Sequence, residues 1–541
     1  MRDRFHWEFS KFDYRRNSKV DWSWILALLL AAVLVYSINL GGLPLRDWDE
    51  GTIAQVAREI WRSPVNSWRW LHPTLGNAPY LNKPPLMHLL IAGAYSLGGV
   101  NEWTSRLPGA MLSAVSVPLL YCVGREIFPR RSPAIFAALV YLTLLPMVRH
   151  GRLAMLDGAV VCFFLLMMLC VLRSRRNLRY CLGVGIGFAL VCLTKGIIGL
   201  LLLAIALLFL FWDTPRLLTS PYLWAGVFVG AAPVAWWYLA QWLEYGNTFT
   251  NTAIMAQSLS RVWASVENHA EPPWYYLLEI LKYSFPWLIF LPQGLRKAWE
   301  NRNWSWAKLI LVWISFYFVI ISVMQTKLPW YVLPIYPAIS LAVGAQLADY
   351  WCTSDASYPR PVVVCLGLLA VGATIGSFYF SPWSPAQDGA LQMILAAVAG
   401  TMILANILAR RGDRQFLIIL IWGMYVSLVL FMTSSHWVWE LAEAYSVKPV
   451  AAMIQKTTPT GQIVYTSFPY DRPSLNFYSD RQIVTATHNQ LQQQWQQHSP
   501  SYLLLDTPTL KNLQLPAAQQ LGSTQGLTLL RRGEERGVRG E

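Results

Sequence analysis

The chain has 541 residues, of which 55% are hydrophobic and only 13% charged, with a formal net charge of +14. A soluble protein carries about 25% charged residues, and here apolar runs of about 20 residues recur, each long enough for one helical crossing. A soluble enzyme is excluded, and so is a β-barrel, whose segments are short and alternating. The basic excess lies mostly in short links between apolar runs. It is therefore a topology signal and not the footprint of a nucleic-acid partner.

The seven cysteines, Cys122, Cys162, Cys170, Cys181, Cys192, Cys352 and Cys365, lie in or beside apolar runs. Their spacing predicts neither a structural disulfide nor a thiolate metal site. No cofactor is called for, and no ligand set in the sequence supports a divalent metal.

A basic tail over residues 1–21, with Arg2, Arg4, Lys11, Arg15, Arg16 and Lys19, is expected to stay cytoplasmic. The first span covers about 22–40 and reads as a retained helix, because no small-residue cleavage site follows it. The chain then enters an outer loop, 41–103, with three carboxylates in four residues: Asp47, Asp49 and Glu50. From Gly51 to Trp61 the apolar positions Ile53, Val56, Ala57, Ile60 and Trp61 repeat at helical spacing, as in a helix lying along the membrane surface. Tyr80, Asn82 and Lys83 follow, the lysine locked in front of Pro84 and Pro85. The stretch 86–99 is short and ends in Gly98-Gly99, and it is placed at the surface because the later links then obey the positive-inside rule.

The further spans are expected at about 104–123, 132–149, 157–172, 180–193, 196–212, 221–241, 274–294, 307–324, 328–349, 361–381, 387–409 and 414–433, with a long outer loop at 243–273. That gives thirteen crossings, with the N-terminus inside and the C-terminus outside. The membrane domain ends near residue 434. Residues 435–541 read as a small extracytoplasmic α/β domain, with strand-like runs at 462–466, 482–485 and 501–505 and a Gln-rich helical stretch from Asn489 to His498. It carries no motif of its own, and a structural or an acceptor-docking role both remain open.

On this topology the unusual polar residues share one side of the membrane. Asp49, Glu50, Tyr80, Asn82 and Lys83 lie in the first outer loop. His150, Arg152 and Asp157 follow the third span, and Lys195 lies between the fifth and sixth. Arg261, Glu267 and His269 are in the long outer loop, and Lys327 caps the ninth span. Ionisable residues at membrane level are expensive and are functional candidates by default. Each has a plainer reading: Asp49 and Asp157 as helix caps, Lys83 as a snorkelling side chain, Lys195 and Lys327 as interfacial anchors, His269 as a surface histidine. A carboxylate beside several cations suits sugar transfer from a lipid phosphate. The carboxylate takes a hydroxyl proton, and lysine and arginine hold the leaving phosphate.

An ordered series of motifs bears on the choice. Asp49-Glu50-Gly51 with Arg58-Glu59 is followed by Tyr80-Leu81-Asn82-Lys83-Pro84-Pro85-Leu86 and Ser105-Arg106-Leu107-Pro108. Later come Leu156-Asp157, Leu193-Thr194-Lys195-Gly196, Pro272-Pro273-Trp274-Tyr275-Tyr276 with Phe285-Pro286-Trp287, and Lys327-Leu328-Pro329-Trp330-Tyr331. The series resembles the bacterial aminoarabinose transferases and protein O-mannosyltransferases of the C-type (GT-C) membrane glycosyltransferases, over roughly the first two thirds of the chain. The resemblance implies a GT-C fold: an all-α polytopic domain of about thirteen transmembrane helices with outer juxtamembrane helices, followed here by the α/β domain.

It also implies a polyprenyl-monophosphate sugar donor, membrane lipids as surroundings, and inverting transfer at the outer face of a bacterial inner membrane to a lipid, protein or glycan acceptor. Asp49 matches the family's first-loop aspartate and Asp157 its second, with Glu50 or Asp157 orienting the acceptor. Lys83, Lys195, Arg261 and Lys327 fall at or near basic positions that contact phosphate, and Tyr80, Asn82, Arg152, His269 and Tyr331 complete the expected substrate-binding set. Asn82 departs from relatives that carry an acidic residue before Lys-Pro-Pro, which weakens any case for a metal there. A lipid-glycan transporter or flippase, and a lipid-diphosphate-dependent envelope-glycan polymerase or ligase, are the alternatives.

Overall fold

The computed structural model describes residues 18–265, 270–352, 358–438, 447–497 and 500–533. The basic tail before Ser18, and Glu267 and His269 in the long outer loop, lie outside the described residues.

Among the described residues the membrane domain is helical apart from one small hairpin. In chain order it comprises α1 (Ser18–Ser37), α2 (Asp49–Arg62), a small hairpin β1 (Thr74–Leu75) and β2 (Ala78–Pro79), α3 (Leu86–Gly98), α4 (Glu102–Ile127), α5 (Arg131–Leu142), α6 (Leu145–Arg152), α7 (Asp157–Ser174), α8 (Tyr180–Lys195), α9 (Ile198–Asp213) and α10 (Pro221–Phe249). A π-helical segment, Thr250–Leu259, runs into the short α11 (Ser260–Trp263). Then come α12 (Tyr275–Tyr283), α13 (Leu291–Glu300), α14 (Ser305–Val323), α15 (Tyr336–Cys352), α16 (Arg360–Tyr379), α17 (Gly389–Arg410) and α18 (Phe416–Thr433).

Among the described residues nine helices are long and apolar enough to cross a membrane, and the bent pair α5 and α6, which meet at 57°, would make a tenth. Pro146 in the first turn of α6 accounts for the bend, since proline cannot supply the N–H that a continuous helix needs there. The helices α8 and α9, shorter at 16 residues each, lie where spans are predicted. The stretch expected as one crossing at 274–294 is instead α12, a 3-10 turn at Trp287–Phe290 and α13. Pro286 and Pro292 interrupt its helical bonding. With 13 residues, about 20 Å at 1.5 Å per residue, α3 is too short to cross a core of about 30 Å.

The bundle has two chemically different ends. At one, Asp21 accepts hydrogen bonds from Tyr121, Arg125 and Arg131, Glu126 binds Arg173 and Arg176, and Asp213 binds Arg175. These are the basic links between spans. At the other end, where α4 begins at Glu102, the long loops between spans meet the C-terminal domain.

That domain adds α19 (Val447–Thr457), β3 (Ile463–Thr466), α20 (Pro473–Ser479), β4 (Gln482–Thr485), α21 (His488–Gln497), β5 (Tyr502–Asp506), α22 (Thr507–Asn512), β6 (Ala518–Thr524) and β7 (Leu527–Arg532). The sheet order is β4-β3-β5-β7-β6; β3 runs parallel to β4 and β5, and β7 antiparallel to β5 and β6. One face packs Val450, Ile454 and Leu475 over Val464, Leu504 and Leu529, and the other packs Leu491 and Trp495 over Leu503, Leu505 and Leu530. The Gln-rich stretch is α21 as far as Gln497, with His498 outside the described residues, and the three expected strands are β3, β4 and β5. The hairpin β6–β7 was not foreseen. Its turn residues Gln525 and Gly526 both have positive φ, 52° and 74°, as a tight hairpin of this hand requires.

Candidate active site

The loop after α1 folds into α2, with Asp49 and Glu50 in its first turn, where the positive end of the helix dipole favours carboxylates. Neither Asp49 nor Asp157 is a helix cap. The capping residues are Trp48 and Leu156, and neither makes a side-chain capping bond.

The two neighbouring carboxylates do different things. Glu50 is fully buried and takes a forked pair of bonds from Arg106, Nε to Oε1 and Nη2 to Oε2, both 2.7 Å. It also accepts the backbone N–H of Arg46 at 3.0 Å and of Ala154 at 2.7 Å. Arg106 in turn donates to the carbonyls of Leu40, Leu43 and Pro44. This network ties the end of α1, the acidic loop, α4 and the segment before α7 into one unit, and the cations and amides around Glu50 hold its pKa below the usual value despite burial. Glu50, expected beside Asp49 as a catalytic group, has all its oxygens committed to structure.

Asp49 is the opposite case. Its Oδ2 is buried and has no hydrogen bond, and the cation paired with it, the Arg46 guanidinium, stands 3.9 Å away. Burial pushes its pKa up to about 6. Arg46 and Lys195 pull the other way, while the charges of Asp157 and Glu50 add to the rise. A carboxylate so placed is ionised at neutral pH and ready to take a proton.

Asp157 and Lys195 are near enough to act on the charge of Asp49, and a chain of contacts runs from them to the other cations. Asp157, in the first turn of α7, is bound by the Lys195 ammonium at the end of α8. Lys195 also lies 5.2 Å from the centre of the Tyr331 ring. The Tyr331 hydroxyl accepts a bond from Arg261 Nη1 at 2.9 Å. Arg261 Nη2 donates to Gln257 Oε1 at 3.1 Å, and Lys83 Nζ reaches the same oxygen at 3.3 Å. Gln257 sits on the π-helical segment, a wide-turn geometry frequent at functional sites. The buried Tyr80 ring packs edge-on against His88 at 5.3 Å, and burial together with the charge of Asp49 raises its hydroxyl pKa, keeping it protonated.

Gly196 makes the join between the two lysine loops. Its φ of +70° is a conformation that favours glycine, and a Cβ there would come within 3.0 Å of the Tyr238 hydroxyl and 3.9 Å of Pro84. The Lys-Pro-Pro and Thr-Lys-Gly motifs therefore lie side by side.

The structure thus gathers Asp49, Tyr80, Lys83, Asp157, Lys195, Arg261 and Tyr331. Besides Glu50, three expected members stand apart. Arg152, expected on the substrate, is fully buried, donates to the carbonyls of Val35 and Ile38 at 2.6 Å, and stacks 4.5 Å from the Trp437 ring. The carbonyl end of α1 needs such a cation, so Arg152 is a helix-end donor. Lys327 sits beside Arg261 in the chain path, since the backbone N–H of the preceding residue, Thr326, donates to the Arg261 carbonyl at 3.1 Å. Its ammonium, however, is turned to the Met324 carbonyl at the end of α14. Asn82 is exposed.

Sequence reasoning missed Arg472 and Ser474 of the C-terminal domain, which hold Asp47. Asp47 is buried and accepts bonds from Arg472 Nη1 at 3.1 Å and from the Ser474 hydroxyl. Gln257, the bridge between the two cations, also carried no signal beyond its place in the long outer loop.

A family model for dolichyl-phosphate-mannose-protein mannosyltransferases matches residues 82–238, which include Lys83, Asp157 and Lys195. The undecaprenyl phosphate-alpha-4-amino-4-deoxy-L-arabinose arabinosyl transferase 1 of Pseudomonas fluorescens is 28% identical over 340 residues, covering 60% of each chain. The corresponding transferase of Aeromonas salmonicida is 28% identical over 416 residues, covering 72% of this chain and 73% of that one. The crystal structure of ArnT from Cupriavidus metallidurans bound to undecaprenyl phosphate superposes with a TM-score of 0.77 over 95% of this chain and 98% of that one, at 18% identity. The chain has the fold of the C-type (GT-C) glycosyltransferases. The match to the first of these relatives spans about 60% of that protein's length. The superposition runs further, through the C-terminal domain, so the chain shares the whole architecture and not only its membrane half.

Proposed function

We propose that the chain is an inverting glycosyltransferase that moves a sugar from a polyprenyl-monophosphate donor to a hydroxyl of a lipid, protein or glycan acceptor, at the outer face of a bacterial inner membrane. The observation that carries this reading is the pairing of an uncommitted base with a run of cations. Asp49 has a buried oxygen free of hydrogen bonds, and Lys195, Arg261 and Lys83 follow one another from it through Asp157, Tyr331 and Gln257.

In the proposed step Asp49 takes the proton of the acceptor hydroxyl. The acceptor oxygen forms a bond to the anomeric carbon as the bond from that carbon to the phosphate oxygen breaks, and the electron pair leaves on the phosphate. Lys83 and Arg261, within reach of one amide oxygen, are placed to clamp that phosphate. Asp157 holds Lys195 toward the same space and, by its charge, keeps Asp49 basic. Attack from the side opposite the phosphate gives inversion. The names of the relatives, which specify an undecaprenyl phosphate-linked aminoarabinose, support a polyprenyl-phosphate sugar as donor class. The outer-face assignment is supported by the basic links clustering at the other end of the bundle. A transporter would instead be expected to carry ionisable residues at mid-depth along a path; here Asp157 and Lys195 lie at helix ends.

The test is release of free polyprenyl phosphate from a polyprenyl-monophosphate sugar by the purified protein supplied with envelope acceptor. Release by the wild type and none by Asp49→Asn is the expected result. Absence of release by the wild type, or equal release by both, would overturn the reading.

A further inference from the structure

Asp49 makes no hydrogen bond that would fix its own carboxylate at Oδ2. Its place must come from its neighbours, and they are held from two sides. On one side Glu50 is locked to Arg106 of α4. On the other the anchors belong to the C-terminal domain. Asp47 is bound by Arg472 and Ser474, and the exposed Trp48 ring lies 5.8 Å from Tyr470. Arg472 is itself gripped between the rings of Phe468, 4.8 Å away, and Tyr470, 5.0 Å away, and donates to the Tyr470 hydroxyl at 3.0 Å. The first turns of α2 and α20 touch backbone to backbone, since a Cβ on Gly51 would come within 2.7 Å of the Ser474 nitrogen. Any side chain at position 51 would push the two apart.

Resting on the function proposed above, we infer that the C-terminal domain is part of the catalytic apparatus, with Arg472 and Ser474 as positioning residues that set Asp49 through Asp47. A base that must stay unpaired to accept a proton cannot be oriented by its own bonds. Fixing the residues at i−2 and i+1 orients it without occupying its lone pairs. A misplacement of about 1 Å can cost a reaction about 100-fold, so an anchor this close acts on turnover and not on donor binding.

The rest of the seam provides the control. Arg58 donates to the Phe477 carbonyl at 2.7 Å and binds Asp480, which also pairs with Arg62. Arg58 lies nine residues along α2, about 13 Å from Asp49. Loss of the Asp480 pair weakens docking without touching the Asp47 anchor.

The experiment compares full-length Arg472→Ala, Arg472→Lys and Asp480→Asn in detergent or nanodiscs, by turnover, donor KM, Tm, and hydrogen exchange of the 45–56 peptide. Arg472→Ala should lower kcat about 10–100-fold with donor KM unchanged, and speed exchange in that peptide; Arg472→Lys should restore part of the turnover. Asp480→Asn should lower Tm by at least as much as Arg472→Ala does, with kcat within about threefold of wild type. Equal kcat losses in Arg472→Ala and Asp480→Asn, in proportion to Tm, or wild-type turnover and exchange in Arg472→Ala, would overturn the inference. Should the wild type release no polyprenyl phosphate, the functional reading fails. The exchange arm then decides the positioning claim alone: unchanged protection of the 45–56 peptide in Arg472→Ala sinks it.

Discussion

The two ends of the helix bundle are both rich in charge, and they differ in what the charges have left over. At the basic end three described carboxylates are consumed: Asp21 by Tyr121, Arg125 and Arg131, Glu126 by Arg173 and Arg176, Asp213 by Arg175 and Lys308. At the other end Glu50 and Asp47 are consumed in the same way, by Arg106 and by Arg472. Asp49, between them, keeps a buried oxygen without a hydrogen bond. Density of charge therefore does not mark the candidate site. Incomplete pairing inside a rigid surround does, because pairing every lone pair stabilises a fold and leaves nothing for a substrate.

This contrast can be broken most directly at Asp49. Asp49→Asn should cut turnover by about 10²–10⁴-fold, the range for loss of a general base, while Tm stays level or rises, since the buried Oδ2 has no hydrogen bond to lose and its one ion pair, to Arg46, is long at 3.9 Å. A marked fall in Tm would place Asp49 among the structural acids. Glu50→Ala should do the reverse. It strands a fully buried Arg106, with a stability cost of about 3–5 kcal/mol, read as lost expression or a large drop in Tm. A stable, well-folded Glu50→Ala would show that the network is not what holds the loop.

The cations come next. Lys83→Ala and Arg261→Ala should each weaken donor binding by about 1.5–3 kcal/mol, the scale of a hydrogen bond to a charged group, seen as a raised donor KM. Normal KM in both would move the phosphate elsewhere. The pH dependence sharpens the same point. With the Asp49 pKa raised from 3.8 to about 6, kcat/KM should be flat above pH 6 and fall about tenfold per unit below it as the base is protonated. The stability contribution has the opposite sign: the folded state holds this proton more tightly than the unfolded one, so Asp49 destabilises the fold above pH 6 and that cost fades as pH falls toward 4. A kcat/KM profile flat to pH 5 would remove Asp49 as the titrating base. The smallest effect is expected at the other end of the bundle. Asp21→Asn, a partly exposed cluster, should cost less than about 1 kcal/mol and leave turnover unchanged; a loss of turnover would mean the two ends are coupled.

Much of this was legible in the chain. Spans follow from hydropathy because lipid forces every backbone group into a helix, and the strands β3, β4 and β5 and the helix α21 follow from local alternation and composition. The β6–β7 hairpin was missed because its signal, a Gln-Gly turn with a run of buried residues after it, is weak in one sequence. The candidate residues were legible as a set because ionisable side chains at membrane level are rare. Their division of labour was not. Arg152 and Lys195 look alike in sequence, each at the end of a helix beside an apolar run, yet one serves the carbonyls of α1 and the other binds Asp157.

The sequence by itself determined the class of the protein, the positions of most of its helices, the small α/β domain and the pool of residues from which a site could be built. These depend on composition and on period, which are local properties of the chain. The tertiary structure decided which acid is free and which are bound, because that turns on partners far away in the chain. Arg106 reaches Glu50 from 56 residues away, Lys195 reaches Asp157 from 38, and Arg472 reaches Asp47 from 425. No local pattern encodes those meetings; they follow only when burial of the apolar surface brings the elements together and every buried charge must find a partner or remain without one.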